Sequence, residues 1–456
     1  MGQRTILENG GAVLGGPSVL IEKGTVIDGT GAAPFAASVL VENGLITALG
    51  ADADARAATN PGLRRIDATG LTVMPGLIDA HCHITFDEVS TNDELFFHRR
   101  PALAAIAAAH NVNKVLRAGV TGMFDADGIF DIGVDLREAI ETGLVEGPRM
   151  ATGAYALVTS VGGTAGRLFP ETGTIGYARI LPTRDEIVAE VRRQCKIGVD
   201  WIKVHVTGLI PRQRVRGEIM AWTLDELKAV AETAHDLGVP VVGHCRSAES
   251  TTKCIQAGFD MLLHATFMDE PTFELIAQTK TPIAPTFTFQ ANLMDYGAKV
   301  NCDPVLQAIF RREIEESADM LRRCYDAGVP LLCGTESGFS VTPYGEWHYR
   351  ELEVFVRDIG LTPLQAIQCA TQAGARCLRL DGKVGVVAPG MMADLIGVAG
   401  DPSKDVTVLG DKERMKFVMV GGKEADLATP VRERRPISGW RVNSYGAIMT
   451  QEFCRT

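Results

Sequence analysis

The chain has 456 residues, of which 46% are hydrophobic and 22% are charged, and its formal net charge is −11. This balance provides enough apolar side chains for a large buried core and excludes an intrinsically disordered chain. The acidic excess argues against a nucleic-acid-binding surface, which needs clustered Lys and Arg to neutralise phosphates. The length fits one large domain with a smaller companion.

The ten cysteines and the N-terminal residues indicate the cellular compartment of the protein. The cysteines form no CxxC pair, which favours reduced thiols over a disulfide framework. Residues 1–13 lack the long apolar stretch of a signal peptide, and no run of about 18 apolar residues predicts a membrane span. We therefore expect a cytoplasmic homo-oligomer that binds a small-molecule substrate and neither nucleic acid nor membrane.

Residues 1–74 contain short β-type runs broken by glycines, such as SVLIEKGTVIDGTG and ASVLVENGLITALG. Similar runs return in residues 381–430, and neither segment has enough strands to cover itself. We expect the two segments to form one small β-sandwich domain, as its first and second parts. Residues 431–456 are interpreted as an irregular C-terminal tail.

Between these segments, from residue 75 to 380, short apolar runs alternate with longer helix-type runs. Two helix patterns begin at a Thr and end at a glycine, over 183–198 and 223–238, as capped helices do. The alternation predicts an α/β fold with a (β/α)8 TIM barrel, and periodicity leaves a doubly wound open sheet as the alternative. The eight predicted strands are 75–83, 118–125, 147–154, 200–206, 239–245, 261–266, 282–289 and 329–336.

Ionisable side chains stand at the ends of five of these strands, where the loops of a barrel form its open mouth. His81 and His83 lie one strand repeat apart, so both imidazoles point the same way and can reach one cation. A lone histidine is usually a hydrogen-bonded core residue, but a series at the same end of successive strands favours metal ligands. The series consists of His81, His83, Lys203, His244, His264 and Glu336. His205 shares a strand face with Lys203 and could hydrogen-bond the substrate or contact a metal.

Lys203 needs a separate explanation, because a bare ammonium in a buried mouth is costly unless it is paired or neutralised. One solution is reaction of the neutral amine with carbon dioxide to give a carbamate that bridges two divalent cations. The other is a salt bridge with Glu336. Four histidines and one carboxylate are more than a single tetrahedral site with an open water position requires, which favours the carbamate.

The ordered motifs resemble the amidohydrolase superfamily of metal-dependent hydrolases over nearly the whole chain. They run from GTVIDGTG and PGLIDAHCH through WIKVHVTG, GHC, LLH and GTESG to GLTPLQAIQCAT and GVVAPGMMADLIGVAGDP. The sequence looks most like the branch of imidazolonepropionase-like enzymes and Xaa-Pro dipeptidases, with the phenylurea and molinate herbicide hydrolases as a comparison. The resemblance implies a composite of β-sandwich and barrel, a carboxylated lysine and hydrolysis of a C–N bond.

By position, the resemblance implies two divalent metals, which we expect to be Zn, with Mn, Fe or Co as alternatives. The first metal would be bound by His81, His83 and Glu336, the second by His244 and His264, with carboxylated Lys203 as the bridge. A metal-bridging hydroxide would attack the carbonyl, and Glu336 would pass the proton to the leaving nitrogen. Glu336, Lys203 and His264 are therefore the predicted catalytic residues.

Two positions depart from the pattern of that branch. Glu336 stands where the branch normally has Asp, and Thr164 in SVGGTAG stands where it usually has His, which makes a peptide substrate less expected. We predict that Thr164, His205 and Tyr155 bind the substrate. Asp125 is expected to hold in place a histidine at the end of the first predicted barrel strand, 75–83. We expect no extra arginine at the strand ends, and this favours a neutral substrate.

The leading hypothesis is a binuclear metal hydrolase acting on an amide, urea or carbamate C–N bond of a small apolar molecule. A xenobiotic such as a phenylurea or thiocarbamate herbicide is one example. The alternatives are an Xaa-Pro or Xaa-basic dipeptidase, a mononuclear deaminase and a non-catalytic structural relative. The last is disfavoured because every ligand position keeps a competent side chain.

Overall fold

The computed structural model describes residues 18–90, 100–163, 166, 170–208, 217–432 and 449–455. Its strands are β1 Val19–Val26, β2 Phe35–Glu42, β3 Leu45–Leu49, β4 Arg64–Asp67, β5 Leu71–Pro75, β6 Leu77–Cys82, β7 Val120–Asp125, β8 Arg149–Thr152, β9 Ala156–Val158, β10 Gly173–Ile175, β11 Ala178–Ile180, β12 Ile202–His205, β13 Thr207–Gly208, β14 Ile219–Met220, β15 Val241–Cys245, β16 Met261–His264, β17 Ile283–Ala284, β18 Leu395–Ala399, β19 Met415–Val420 and β20 Lys423–Glu424.

The α-helices follow most of the central strands, as the alternating pattern predicts. They are α1 Gly50–Ala58, α2 Pro101–Arg117, α3 Ile132–Glu141, α4 Arg184–Ile197, α5 Leu224–Asp236, α6 Ala248–Ala257, α7 Glu270–Thr279, α8 Thr288–Tyr296, α9 Pro304–Asp326, α10 Arg350–Arg357, α11 Pro363–Cys369 and α12 Gln451–Arg455. Within the described residues, no helix is both long and apolar enough to cross a membrane.

The two flanking segments of the chain meet in one eight-stranded mixed sheet. Its order is β20-β19-β18-β5-β1-β2-β3, and β4 pairs with β1. The junction is the antiparallel pair β18 and β5, in which Leu395 lies opposite Pro75. The segments therefore fold together, while the expected sandwich of two facing sheets stays a prediction.

The central strands run parallel to one another in two groups. Strands β6, β7 and β8 form one sheet, and β9, β12, β15, β16 and β17 run parallel within a seven-stranded sheet that also contains β10 and β11. The Asp200 backbone N–H donates to Thr152 O at 2.8 Å, which links the end of β8 to the residues before β12. Closure of all eight strands into one continuous barrel stays a prediction.

The eighth predicted strand, 329–336, differs from expectation. Instead of a regular strand, it contributes a single parallel bridge between Leu331 and Ile283, and Ser337, the residue that follows the segment, forms another with Cys82. The Ala80 N–H still donates to Cys333 O at 2.8 Å, so the segment lies beside β6. Extended geometry ends because the Glu336 backbone has a φ of 57°, in the left-handed region.

Apolar side chains bury both faces of the central strands. Cys82 belongs to the large apolar cluster that also contains Val112 and Val115 of α2. A second cluster includes Phe124 of β7 and Leu263 of β16. Apolar side chains thus cover both faces of these strands, and His81, His244 and His264 lie within the last two residues of theirs.

Candidate active site

The two histidines at the end of β6 lie side by side in the structure. The ring centroids of His81 and His83 are 4.9 Å apart, and both side chains are almost fully buried. One ligand atom from each lies within 4.8 Å of a Glu336 carboxylate oxygen and of the other histidine. These three side chains therefore form a group that could hold one metal ion.

Backbone geometry brings Glu336 to this position. Its N–H donates to His81 O at 2.6 Å, which places the residue next to β6. A Cβ added at Gly334 would lie 2.8 Å from His81 Cβ, so only glycine permits the close approach. Glu336 and His264 both have positive φ, 57° and 70°, a strained conformation that persists where the surrounding structure enforces it.

His244 is the second-last residue of β15, and His264 is the last residue of the neighbouring strand β16. Their ring centroids are 4.5 Å apart, and the His264 ring lies 5.3 Å from that of His81. Burial, followed by the nearby positive charges, holds the pKa of His264 well below its usual range. Burial likewise lowers the pKa of His244 to about 3, so both imidazoles are neutral and able to act as ligands.

Lys203 on β12 is fully buried between the two pairs of histidines. Its Nζ lies 3.5 Å from His81 Nε2 and 3.6 Å from Asp127 Oδ1. Burial lowers the pKa of the amine, although Asp127 opposes the shift. The salt-bridge partner suggested from the sequence was Glu336, whereas the carboxylate that the structure places in ion-pair range is Asp127.

Asp127, which sequence reasoning did not select, joins three site residues. Its Oδ1 lies 3.1 Å from His83 Nδ1 and its Oδ2 lies 3.0 Å from His205 Nε2, in addition to its contact with Lys203. Burial raises the pKa of its carboxyl group, but Lys203 and His83 outweigh burial and hold the pKa well below its usual value. The residue comes two positions after β7, and an acidic residue just past a strand end was the available signal.

Glu218 is the second residue that the sequence did not reveal. Its Oε2 accepts from His244 Nε2 at 2.8 Å and from Thr207 Oγ1 at 2.8 Å. The pKa of Glu218 is about 2, because the interaction with His244 outweighs the effect of burial. A carboxylate on one ring nitrogen fixes the tautomer and leaves the other nitrogen to face a metal.

The three substrate-binding candidates have different environments. The His205 ring stacks on His244 with centroids 4.7 Å apart, and its Nδ1 has no hydrogen-bond partner among the described residues. The Tyr155 ring lies near the guanidinium groups of Arg179 and Arg193, at 5.6 and 6.0 Å. Its part in substrate binding stays a prediction, and Thr164 lies outside the described residues.

Asp125, which is expected to hold a histidine of the first predicted barrel strand in place, contacts the backbone next to His83. Its Oδ1 accepts from the Ile84 N–H at 2.9 Å, and its Oδ2 accepts from Thr152 Oγ1 at 3.2 Å. Burial raises the pKa of this carboxyl group to about 7. These bonds fix the backbone that follows His83.

The expectation of no arginine at the strand ends is wrong. Arg246 immediately follows β15, and its Nη2 lies 3.9 Å from Glu336 Oε2. Its side chain is 12% exposed. The apolar run that predicts the strand ends at Cys245, and Arg246 is the next residue along the chain.

The donor set fits divalent metal ions. His264 is fully buried, yet neither of its ring nitrogens has a hydrogen-bond partner among the described residues. Leaving a buried polar nitrogen unpaired costs about 1–3 kcal/mol, so such nitrogens call for a ligand. Imidazole and carboxylate suit Zn, Mn, Fe and Co alike.

A second group of possible ligands, Asp79, Cys82 and His348, is already occupied by internal hydrogen bonds. Asp79 Oδ2 lies 2.8 Å from His348 Nδ1 and accepts from Thr335 Oγ1 at 2.5 Å. Burial raises the pKa of the Cys82 thiol well above its usual value, which disfavours the thiolate that binds metals. We interpret this group as structural support for the neighbouring site.

Comparison with known proteins places this architecture among hydrolases. The amidohydrolase family model matches residues 72–425. Ochratoxinase of Aspergillus niger is 25% identical over 427 residues, covering 89% of this chain and 86% of that protein. The resemblance inferred from the motifs is therefore confirmed.

Solved structures agree with the fold. A Xaa-Pro dipeptidase with bound methionine has a TM-score of 0.75 and 27% identity, covering 90% of this chain and 99% of its own. Molinate hydrolase has a TM-score of 0.74 and 22% identity, covering 93% and 98%. The α/β fold is thus of the TIM-barrel type, as expected.

Proposed function

The chain belongs to the amidohydrolase family, and we propose that it is a metal-dependent hydrolase of an amide-like C–N bond in a small molecule with a largely apolar body. The observation that carries this proposal is the group formed by His81, His83 and Glu336, with ligand atoms within 4.8 Å of one another. The similarity to an ochratoxinase and the fold shared with a molinate hydrolase support a non-peptide substrate.

The site residues can be divided between two metals. His81, His83 and Glu336 would hold one and His244 and His264 the other, with Lys203 as a bridging carbamate. The buried amine supports carbamate formation because its lowered pKa increases the neutral fraction that reacts with carbon dioxide. Bound divalent metals would polarise the scissile carbonyl and activate water near neutral pH.

The protein's own groups would orient the ligands and move the proton. Asp127 and Glu218 would fix the ring orientations of His83 and His244. Glu336 is 14% exposed, more than the histidines around it, so it can reach both water and substrate. It would accept a proton from water and deliver it to the leaving nitrogen.

Aromatic side chains beside the site support an apolar substrate body. The Phe86 ring stacks on the His83 ring with centroids 4.3 Å apart. The half-buried Phe339 ring lies 5.4 Å from Phe86 and 5.4 Å from the half-buried Phe289 ring. This aromatic group would pack against one side of the substrate.

Hydrolysis of an amide, urea and carbamate library, with mass detection of products, tests the proposal. We expect the metal-replete protein to be active, and Lys203→Ala and Glu336→Gln each to lower the rate by about 100-fold or more. Lys253 and Glu249, with side chains 28% and 63% exposed, form an ion pair that provides the controls Lys253→Ala and Glu249→Gln. Intact hydrolysis in both site variants would contradict the assignment.

Two other activities remain candidates. The likeness to a Xaa-Pro dipeptidase supports cleavage of dipeptides, and turnover confined to a dipeptide panel would favour it over the leading proposal. The compact group of His81, His83 and Glu336 supports a mononuclear deaminase. A metal content near one per chain, together with an unmodified Lys203 by mass spectrometry, would favour that activity.

A further inference from the structure

Arg246 is a largely buried cation at the edge of the candidate active site. It follows β15 directly, and its side chain is 12% exposed. Its Nη1 lies 3.5 Å from Glu313 Oε2, and its Nη2 lies 3.9 Å from Glu336 Oε2. Both distances exceed the usual 2.7–3.2 Å of an N–H···O hydrogen bond.

Other buried arginines of this chain pair far more tightly. Arg137 and Arg149 each place a guanidinium nitrogen 2.6 Å from an Asp oxygen, and Arg350 does the same with Glu353. Arg149 adds a second hydrogen bond to the same carboxylate at 3.1 Å. The loose contacts of Arg246 are therefore a property of its position and not of arginines in this fold.

The Arg246 guanidinium has an N–H donor that no described residue accepts from. With the Gln290 amide turned so that its nitrogen donates to Thr286 O, its oxygen accepts from Arg246 Nη1 at 3.2 Å and Nη2 at 2.9 Å. The Arg246 Nε–H has no hydrogen-bond partner among the described residues. A buried, unpaired donor on a charged group is costly, and a planar acceptor with two oxygens would satisfy it.

Most carboxylates near Arg246 would have other partners once metal ions are bound, so its charge could be balanced by an anion of the substrate. Glu218 already pairs with His244, and Glu336 is assigned above to a metal ion. A guanidinium is not deprotonated in proteins, and the Glu313 carboxylate lies 3.5 Å from this one. Arg246 therefore stays a cation whose remaining close carboxylate, Glu313, is not hydrogen-bonded to it.

We propose that Arg246 binds a carboxylate of the substrate, so that the enzyme prefers N-acyl amino acids to neutral amides. This inference rests on the proposed function, in which Glu336 protonates the leaving nitrogen. An α-carboxylate is separated from that nitrogen by a single carbon, and Arg246 Nη2 lies 3.9 Å from the Glu336 carboxylate. The carboxylate of an N-acyl amino acid thus falls beside the guanidinium when its nitrogen meets Glu336.

Paired substrates test this inference. A panel of N-acetyl and N-benzoyl L-amino acids is compared with analogues in which hydrogen replaces the carboxylate. We expect the acids to have a kcat/KM about 100-fold higher, the size typical of a buried charge-assisted contact. Arg246→Gln should lower kcat/KM for the acids far more than for the neutral analogues, mainly through KM, and Arg246→Lys should restore part of the difference.

Arg312→Gln is the matched control, because Arg312 lies beside Glu313 in α9 and its side chain is 62% exposed. It should behave as the unaltered protein. Equal rates on acids and neutral analogues, or an equal loss on both in Arg246→Gln, would overturn the inference while leaving the hydrolase proposal in place.

Binding of a product amino acid provides a measurement that does not need turnover. Titration calorimetry with L-phenylalanine and with phenethylamine should show that the unaltered protein prefers the amino acid and that Arg246→Gln loses the preference. If this preference is found but no amide is hydrolysed, the anion site stands and the proposed function fails. If neither ligand is preferred, the inference fails.

Discussion

Asp127 contacts three side chains of the proposed metal site, so we expect it to fix their positions. Its carboxylate contacts His83 Nδ1 at 3.1 Å and His205 Nε2 at 3.0 Å, and Lys203 Nζ at 3.6 Å. A carboxylate partner on a ligating histidine typically contributes 10–100-fold to metal affinity. We expect Asp127→Asn to lower zinc affinity by about that factor, measured by competition with a chromophoric chelator.

The same variant changes the surroundings of Lys203. Removing the negative charge 3.6 Å away disfavours the ammonium form, so the amine should react more readily with carbon dioxide. A larger carbamate signal in carbon-13 spectra of protein equilibrated with labelled bicarbonate is expected. Asp52→Asn, at a 60% exposed side chain, is the control. Unchanged zinc affinity in Asp127→Asn would contradict the role of this carboxylate.

At the residue scale, the sequence predicted which histidines come together better than it predicted the residues that contact them. His81, His83, His244 and His264 could be found because strand alternation and strand ends fix where they point. Asp127, Glu218 and Arg246 lie just beyond strands or in loops. Their side chains reach the site through loop conformations that periodicity does not encode.

At the scale of elements, both predicted capped helices are confirmed. Thr183 and Thr223 each accept from the backbone of a Glu three residues later, whose carboxylate accepts in return from the Thr backbone. Thr183→Ala should lower the free energy of unfolding by about 1 kcal/mol, because one capping interaction of α4 is lost. Urea denaturation measures the change.

Thr183→Ser is the matched control for this prediction, since it keeps the hydroxyl that caps the helix. It should retain most of the stability of the unaltered protein. An alanine variant with an unchanged denaturation midpoint would show that the capping box of α4 contributes nothing measurable.

Other elements could not be predicted for identifiable reasons. The eighth predicted strand breaks down where Glu336 adopts a φ of 57°, a conformation that the apolar run VPLLC does not reveal. Strands β9, β10 and β11, within 156–180, were missed because each has three residues. Such short strands depend on pairing with neighbours far along the chain more than on their own sequence.

At the scale of the whole molecule, a buried ion pair joins the central strands to the flanking sheet. Arg149 begins β8, and Asp394 comes just before β18. Arg149 Nε donates to Asp394 Oδ2 at 2.6 Å and Nη2 to Oδ1 at 3.1 Å, with side chains 13% and 4% exposed. Asp394 also accepts from the Gly421 N–H at 2.7 Å.

Arg149→Met would leave the buried Asp394 carboxylate without its cation. Breaking such a pair from one side costs about 3–5 kcal/mol, so we expect a clearly lower urea midpoint and faster amide hydrogen exchange in β18 and β19. The exposed pair Arg64 and Glu424 also joins the two ends of the chain, but Arg64 is 48% exposed. Arg64→Met should therefore cost no more than about 1 kcal/mol.

The double variant Arg149→Met with Asp394→Asn separates the pair from the packing around it. Removing both charges eliminates the uncompensated carboxylate, so this variant should be more stable than Arg149→Met alone. If Arg149→Met and Arg64→Met shifted the midpoint equally, the buried pair would not be what holds the flanking sheet against the central strands. If stability falls only in Arg149→Met, this ion pair couples the flanking sheet to the central strands. The flanking sheet is the part formed by the two end segments that the sequence assigns to one domain.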